Sequence, residues 1–78
     1  MFNQRLRAAR MKRGFTQQKM ADLLSLSLNA YQKYEQAERN PSLDCLVQIA
    51  DILEVPTDFL LGRDGFLQSL GVSVDEYR

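Results

Sequence analysis

Residues 16–35 read Thr16-Gln17-Gln18-Lys19-Met20-Ala21-Asp22-Leu23-Leu24-Ser25-Leu26-Ser27-Leu28-Asn29-Ala30-Tyr31-Gln32-Lys33-Tyr34-Glu35. Their spacing describes two short helices folded across a tight turn. Thr16 and Ser27 carry side-chain oxygens suited to cap the helices that follow them, and Gln17 and Gln18 open the first. Met20, Ala21, Leu24, Leu26, Tyr31 and Tyr34 are apolar or small, at positions that face inward when two helices cross over one core. Leu28, Asn29, Gln32 and Lys33 remain on the outer face of the second helix. Asn and Gln amides match an adenine edge, and Lys suits guanine or phosphate. The stretch has the chemistry of a helix offered to double-stranded DNA.

Outside this stretch, the bulk composition narrows the class. The chain has 78 residues, 45% of them apolar and 26% charged, as expected for one globular domain. At that size only about 60% of the unfolded surface is buried, so the core is small. No apolar run approaches the roughly 20 residues of a membrane span, and Arg5, Arg7 and Arg10 interrupt any secretory signal. A single cysteine allows no internal disulfide and fits a reducing, cytoplasmic setting. The absence of histidine excludes a zinc finger and histidine-based catalysis. No cofactor, metal or small-molecule substrate is expected, and no membrane partner.

The net charge of zero conceals a polarity. Residues 1–40 carry eight Lys/Arg and three Asp/Glu, or +5; residues 41–78 carry two and seven, or −5. A neutral total is therefore compatible with a nucleic-acid partner, because the location of the positive charge is what counts. The same polarity also fits ordinary solvated surface.

Five helices and no strand are expected. The first runs from about Asn3 to Arg13, with Phe2, Leu6 and Ala9 on one face and Gly14 closing it. Gln17–Leu24 and Leu28–Gln36 follow, and the Pro41 loop ends the third helix. Ser42 caps a fourth over Leu43–Leu53, with Asp44 favoured in its first turn. Its main apolar stripe is assigned to Leu43, Leu46, Val47, Ala50 and Leu53. Cys45, Ile49 and Ile52 form a second strip with no evident cover, which calls for a fifth helix, the tail or another chain. Pro56 and Thr57 lead into the fifth helix, Asp58–Leu61, and Gly62 ends it. The division expected is a domain over residues 1–63 and an apolar extension over 64–78. Phe66, Leu67, Leu70, Val72, Val74 and Tyr77 make that extension too apolar for a free linker. It either adds a sixth short element or crosses to a second subunit, with Cys45, Ile49, Ile52, Phe66 and Leu70 as candidate dimer residues.

Residues 3–62 resemble the phage-repressor and Cro-like helix-turn-helix family, also called the xenobiotic response element family. The resemblance rests on Gly14-Phe15-Thr16-Gln17-Gln18, Met20-Ala21, Leu26-Ser27, Tyr31…Tyr34-Glu35, Pro41-Ser42-Leu43…Ile49-Ala50…Leu53 and Val55-Pro56…Phe59-Leu60-Leu61-Gly62. It implies an all-α, compact five-helix lambda-repressor-like domain with the second and third helices as the helix-turn-helix. Two positions depart from the pattern. Ser25 and Ala37 stand where the family usually has Gly, so a turn at positive φ would cost on the order of 1 kcal/mol at each.

The resemblance also implies roles. Arg10 and Glu35 would form a buried or half-buried ion pair that orients the third helix. Gln17 would meet the DNA backbone at a helix N-terminus, with Gln18 less directly involved. Ser27, Leu28, Asn29, Gln32 and Lys33 match the recognition face, with Asn29 and Gln32 reading base edges. Leu28 suits a thymine methyl or packs on a neighbouring loop. Arg39 and Asn40 are phosphate candidates in the following loop, while Lys19 and Arg13 add background field. Tyr31 and Tyr34 could stack on bases, but their spacing places them in the core. Cys45 reads as a small buried hydrophobe.

The function expected is a sequence-specific double-stranded DNA-binding transcriptional regulator, a repressor acting as a homodimer on a palindromic operator. The competing reading is a protein-interaction or antitoxin-like module on the same fold. An enzyme is not expected: Asp44, Asp51, Asp58 and Asp64 read as helix-start and surface acids, and no catalytic constellation is present.

Overall fold

The computed structural model describes all 78 residues. Six α-helices follow one another: α1 Phe2–Lys12, α2 Gln17–Leu23, α3 Leu28–Glu35, α4 Leu43–Leu53, α5 Thr57–Leu60 and α6 Asp64–Ser69, before a closing 3-10 turn, Val74–Tyr77. The starts of α2, α3 and α4 follow from local chemistry. Thr16 Oγ1 accepts the Lys19 N–H at 3.0 Å, Ser27 Oγ that of Ala30 at 3.1 Å, and Ser42 Oγ that of Cys45 at 3.1 Å. Each cap satisfies a donor the helix cannot, worth about 1 kcal/mol.

The ends of these helices also share one geometry. Ser25, Ala37 and Glu54 sit in the left-handed region at φ 57°, 61° and 56°. Just beyond them, Leu26 N–H donates to Ala21 O at 2.8 Å, Glu38 N–H to Lys33 O at 2.9 Å and Val55 N–H to Ala50 O at 3.0 Å. That is the Schellman closure, which glycine adopts most cheaply. Ser25 and Ala37 adopt it without glycine's freedom, so the family's turn geometry persists in this chain.

The core gathers one face of every helix. Leu6 and Ala9 of α1, Met20, Ala21 and Leu24 of α2 and its C-cap, and Tyr31 and Tyr34 of α3 meet Ile49, Leu53, Phe59 and Leu60. Ala21 is wholly buried where α2 crosses α3. Tyr31 and Tyr34 pack edge to face at 6.4 Å, so both rings belong to the core and neither is available for base stacking.

The inward face of α4 differs from the stripe assigned to it from sequence. Leu46, Ile49, Ala50 and Leu53 point inward, whereas Leu43 and Val47 are 81% and 51% exposed. Both stripes have helical period, and tertiary packing, including that of α5 on α4, decides between them. The candidate dimer set changes accordingly. Ile49 is 0% exposed and has no surface for another chain. Cys45 and Ile52 are half-buried against the core of their own chain, while Phe66 and Leu70 face solvent.

Residues 64–78 fold back onto the domain. Leu67 and Val74 are buried in the common core, and the Tyr77 ring lies 5.5 Å from that of Phe59. Arg5 of α1 fastens this return. Its guanidinium donates to Asp64 at 2.6 and 2.8 Å and to Phe59 O at 2.8 Å, and lies 4.6 Å over the Phe59 ring. Arg78 also donates to Asp64, at 3.4 Å. The Arg5 hydrogen bonds hold the Asp64 carboxyl below the usual carboxylate range.

The two strained turn residues give a direct test. Ser25→Gly and Ala37→Gly should each stabilise the fold by about 0.5–1 kcal/mol, the relief at φ > 0 less glycine's added unfolded-state entropy. Urea unfolding measures it; a loss of stability in both variants would contradict the strain.

Candidate nucleic-acid interface

α1 and α3 are joined by a buried charge pair. Arg10 Nε donates to Glu35 Oε2 at 2.6 Å, and a second guanidinium nitrogen donates to Oε1 at 3.2 Å; the side chains are 11% and 4% exposed. The remaining Arg10 nitrogen caps Phe15 O at 2.8 Å. Tyr31 donates its hydroxyl to the same carboxylate, and Asn3 donates to Glu35 O at 3.4 Å. Burial opposes the Glu35 charge, but hydrogen bonds from Arg10, Tyr31 and Gln17 outweigh it and hold the carboxyl below its ordinary range. Burial, reinforced by the Glu35 contact, pushes the Tyr31 hydroxyl well up, so it remains a donor.

From this pair a chain of amides leads outward. Gln17 Nε2 donates to Glu35 Oε1 at 3.1 Å, and Gln32 Nε2 donates to Gln17 Oε1 at 3.1 Å. Gln17 begins α2 and Gln32 stands midway along α3, so the chain also ties the two helices across their crossing. Both side chains are half-buried.

The other candidates distribute as follows. Asn29 is exposed on α3, and Lys33 is half-buried one turn further on. Ser27 is exposed, with its oxygen engaged as the α3 cap. Leu28 is half-buried and lines an open trough with Arg7, Arg10, Thr16, Gln17, Gln18, Glu35 and Gln36. Gln18 is exposed, but its amide is bonded to Asp22 at 2.9 Å. Arg39 and Asn40 lie on the exposed loop after α3, outside the trough; Asn40 instead borders a groove with Phe2, Pro41, Leu43, Leu46 and Leu61.

Charge sorts with this geometry. Arg5, Arg10, Arg13, Arg63 and Arg78 are in ion pairs, whereas Arg7, Lys12, Lys19, Lys33 and Arg39 are in none. All five unpaired cations belong to the first forty residues. Arg7 was not singled out from sequence as a contact. Its spacing of three from Arg10 puts it one turn away on the same side of α1, and it lines the trough. Gln17 and Gln18 also line the trough, and the first N–H groups of α2 there have no intrahelical acceptor, as at any helix start.

Residues 6–60 match the sequence profile of the family described as helix-turn-helix. The chain belongs to that family. Among its relatives, a SPbeta prophage-derived uncharacterized HTH-type transcriptional regulator, YonR of Bacillus subtilis strain 168, is 44% identical over 61 residues, 78% of this chain and 56% of the relative. The HTH-type transcriptional regulator ImmR of the same organism is 40% identical over 60 residues, 77% of this chain and 47% of that protein. The cryptic phage CTXphi transcriptional repressor RstR of Vibrio cholerae is 50% identical over 48 residues, 62% of this chain and 43% of the repressor. The chain thus spans about half the length of the curated relatives it matches. In this helix-turn-helix, α2 and α3 are the two motif helices and Ala21 sits at their crossing. No helix is long and apolar enough to cross a membrane.

Removing the acid at the centre of the network has a pH signature. Glu35→Gln leaves the Arg10 charge buried without an opposite charge and should cost about 3–5 kcal/mol near neutral pH. The folded carboxyl titrates below its unfolded value of about 4.3. Its contribution is therefore complete above that value and is lost as pH falls through the folded pKa. The gap between native protein and variant should narrow below about pH 4, as read by urea unfolding at pH 7 and pH 3. A gap that stays constant with pH would remove the charge from the account.

Proposed function

We propose that this chain is the DNA-binding part, or the whole, of a sequence-specific transcriptional regulator, and that it acts as a repressor. The observation that carries this reading is the outer face of α3. Asn29, Gln32 and Lys33 are presented there on a helix whose inner side is locked by Tyr31, Tyr34 and Glu35. The unpaired cations Arg7, Lys19, Lys33 and Arg39 supply the field for a phosphate backbone. Arg7 and the α2 start at Gln17 and Gln18 grip phosphates at the trough, Arg39 and Asn40 grip them beyond α3, and Ser27 and Leu28 lie against the groove. The relatives named as transcriptional regulators and as a phage repressor support the same reading.

Asn29→Ala should cost about 1–3 kcal/mol on a duplex selected from a random pool, and should relax preference at one base pair per half-site. Arg7→Ala and Arg39→Ala should weaken all duplexes alike and flatten the dependence of affinity on salt. Equal losses for Asn29→Ala on selected and scrambled duplexes would reject base reading. Absence of duplex binding at low salt would favour the protein-interaction module.

A single reading helix covers only a few base pairs, so the chain is proposed to bind a palindromic operator as a homodimer, with half-sites one helical turn apart. Two groups of solvent-facing apolar side chains are open to a second copy: Leu43, Val47 and Leu61, and Phe66 and Leu70. Leu43→Asp with Leu61→Asp, and separately Phe66→Asp with Leu70→Asp, should distinguish them by sedimentation equilibrium. The pair that forms the interface will lower both self-association and operator affinity. A monomer at all concentrations, with or without DNA, would exclude the homodimer.

A further inference from the structure

The amide chain from the core to α3 has a fixed direction. Glu35 is paired with Arg10, so its carboxylate only accepts hydrogen bonds. The Gln17 atom facing Glu35 Oε1 at 3.1 Å must therefore be the NH2 nitrogen. That turns the Gln17 carbonyl toward α3, where it accepts from Gln32 Nε2 at 3.1 Å. Gln32 then has one N–H already engaged, and keeps one N–H and its carbonyl oxygen for a partner outside.

One donor beside one acceptor is the complement of adenine, which shows N7 as acceptor and N6–H as donor in the major groove. Guanine shows two acceptors there, N7 and O6. The Gln32 carbonyl would oppose one of them, and the engaged N–H could not be turned to relieve it. A Gln32 freed from Gln17 could rotate its amide and offer both hydrogens to guanine. We propose that Gln17 is a positioning residue that fixes the amide orientation of Gln32, and so makes this position of the operator select adenine over guanine. The inference rests on α3 being the base-reading helix, and extends that reading by placing a determinant of base choice on α2. Asn29 and Lys33 take no part in the chain.

The test compares the native protein with Gln17→Met, Gln17→Lys, Gln32→Met and the Gln17→Met, Gln32→Met double variant. The probes are duplexes selected by the native protein from a random pool and then varied to each base at every position. Gln17→Lys is included because it keeps a donor to Glu35 yet offers Gln32 no acceptor, and so separates loss of orientation from loss of folding. The native protein should prefer adenine to guanine at one position per half-site, and Gln32→Met should abolish that preference there alone. Gln17→Met and Gln17→Lys should each reduce the adenine-to-guanine ratio at that same position by about five- to tenfold, within the discrimination of one bidentate pair. Affinity changes shared by all duplexes do not enter this ratio. The double variant should match Gln32→Met. If Gln32→Met abolishes the preference while both Gln17 variants keep it, the positioning role is overturned and base reading by Gln32 stands. If Gln32→Met changes no preference, base reading by Gln32 fails and the positioning role fails with it.

Discussion

The buried pair of Arg10 and Glu35 organises the rest of the molecule, since each of its ionic groups would be costly to bury alone. A guanidinium on α1 and a carboxylate at the end of α3 can share the interior only if the two helices keep one relative position. Phe15 O, the Tyr31 hydroxyl and the Gln17 amide occupy the remaining hydrogen-bonding capacity. No buried polar side-chain atom is left without a partner. The pair adds little net stability compared with an apolar filling. What it supplies is orientation of α3 against the scaffold, which an apolar contact between smooth side chains would leave looser.

A division of the cations follows. Arginines whose work is structural are neutralised where they stand: Arg10 by Glu35, Arg5 by Asp64, Arg13 by Glu54. The cations without acidic partners all come from the basic half of the chain, and several stand near α3 and the trough. A net charge of zero therefore coexists with a local excess where a polyanion would lie.

The helices and their limits were legible in the sequence because caps and closures are local events. Thr16, Ser27 and Ser42 cap as their residue types demand, and no boundary of the five expected helices differs by more than one residue, whereas α6 and the closing 3-10 turn had no expected bounds. The face of α4 was not legible, because Leu43 and Val47 are as apolar as Ile49 and Cys45, and helical period cannot choose between two apolar stripes. Tertiary packing, including that of α5 on α4, which no local pattern records, turns Ile49 inward. The Arg10–Glu35 pair could be expected only through the family resemblance. The Gln17–Gln32 contact joins residues 15 apart and the Arg5–Asp64 contact residues 59 apart. In both, the residue types are commonplace on a surface, and only the folded geometry gives them a partner.

The left-handed residues on either side of α3 have a mechanical meaning as well as an energetic one. Ser25 lies just before α3 and Ala37 just after it, at φ 57° and 61°. For a residue with a Cβ, that region is a small well with steep walls, whereas glycine crosses it freely. α3 is therefore mounted between two stiff joints rather than two loose ones. Such a mounting narrows the angular spread of the helix, so in the proposed complex its side chains would meet a groove already aimed and lose little orientational freedom on contact.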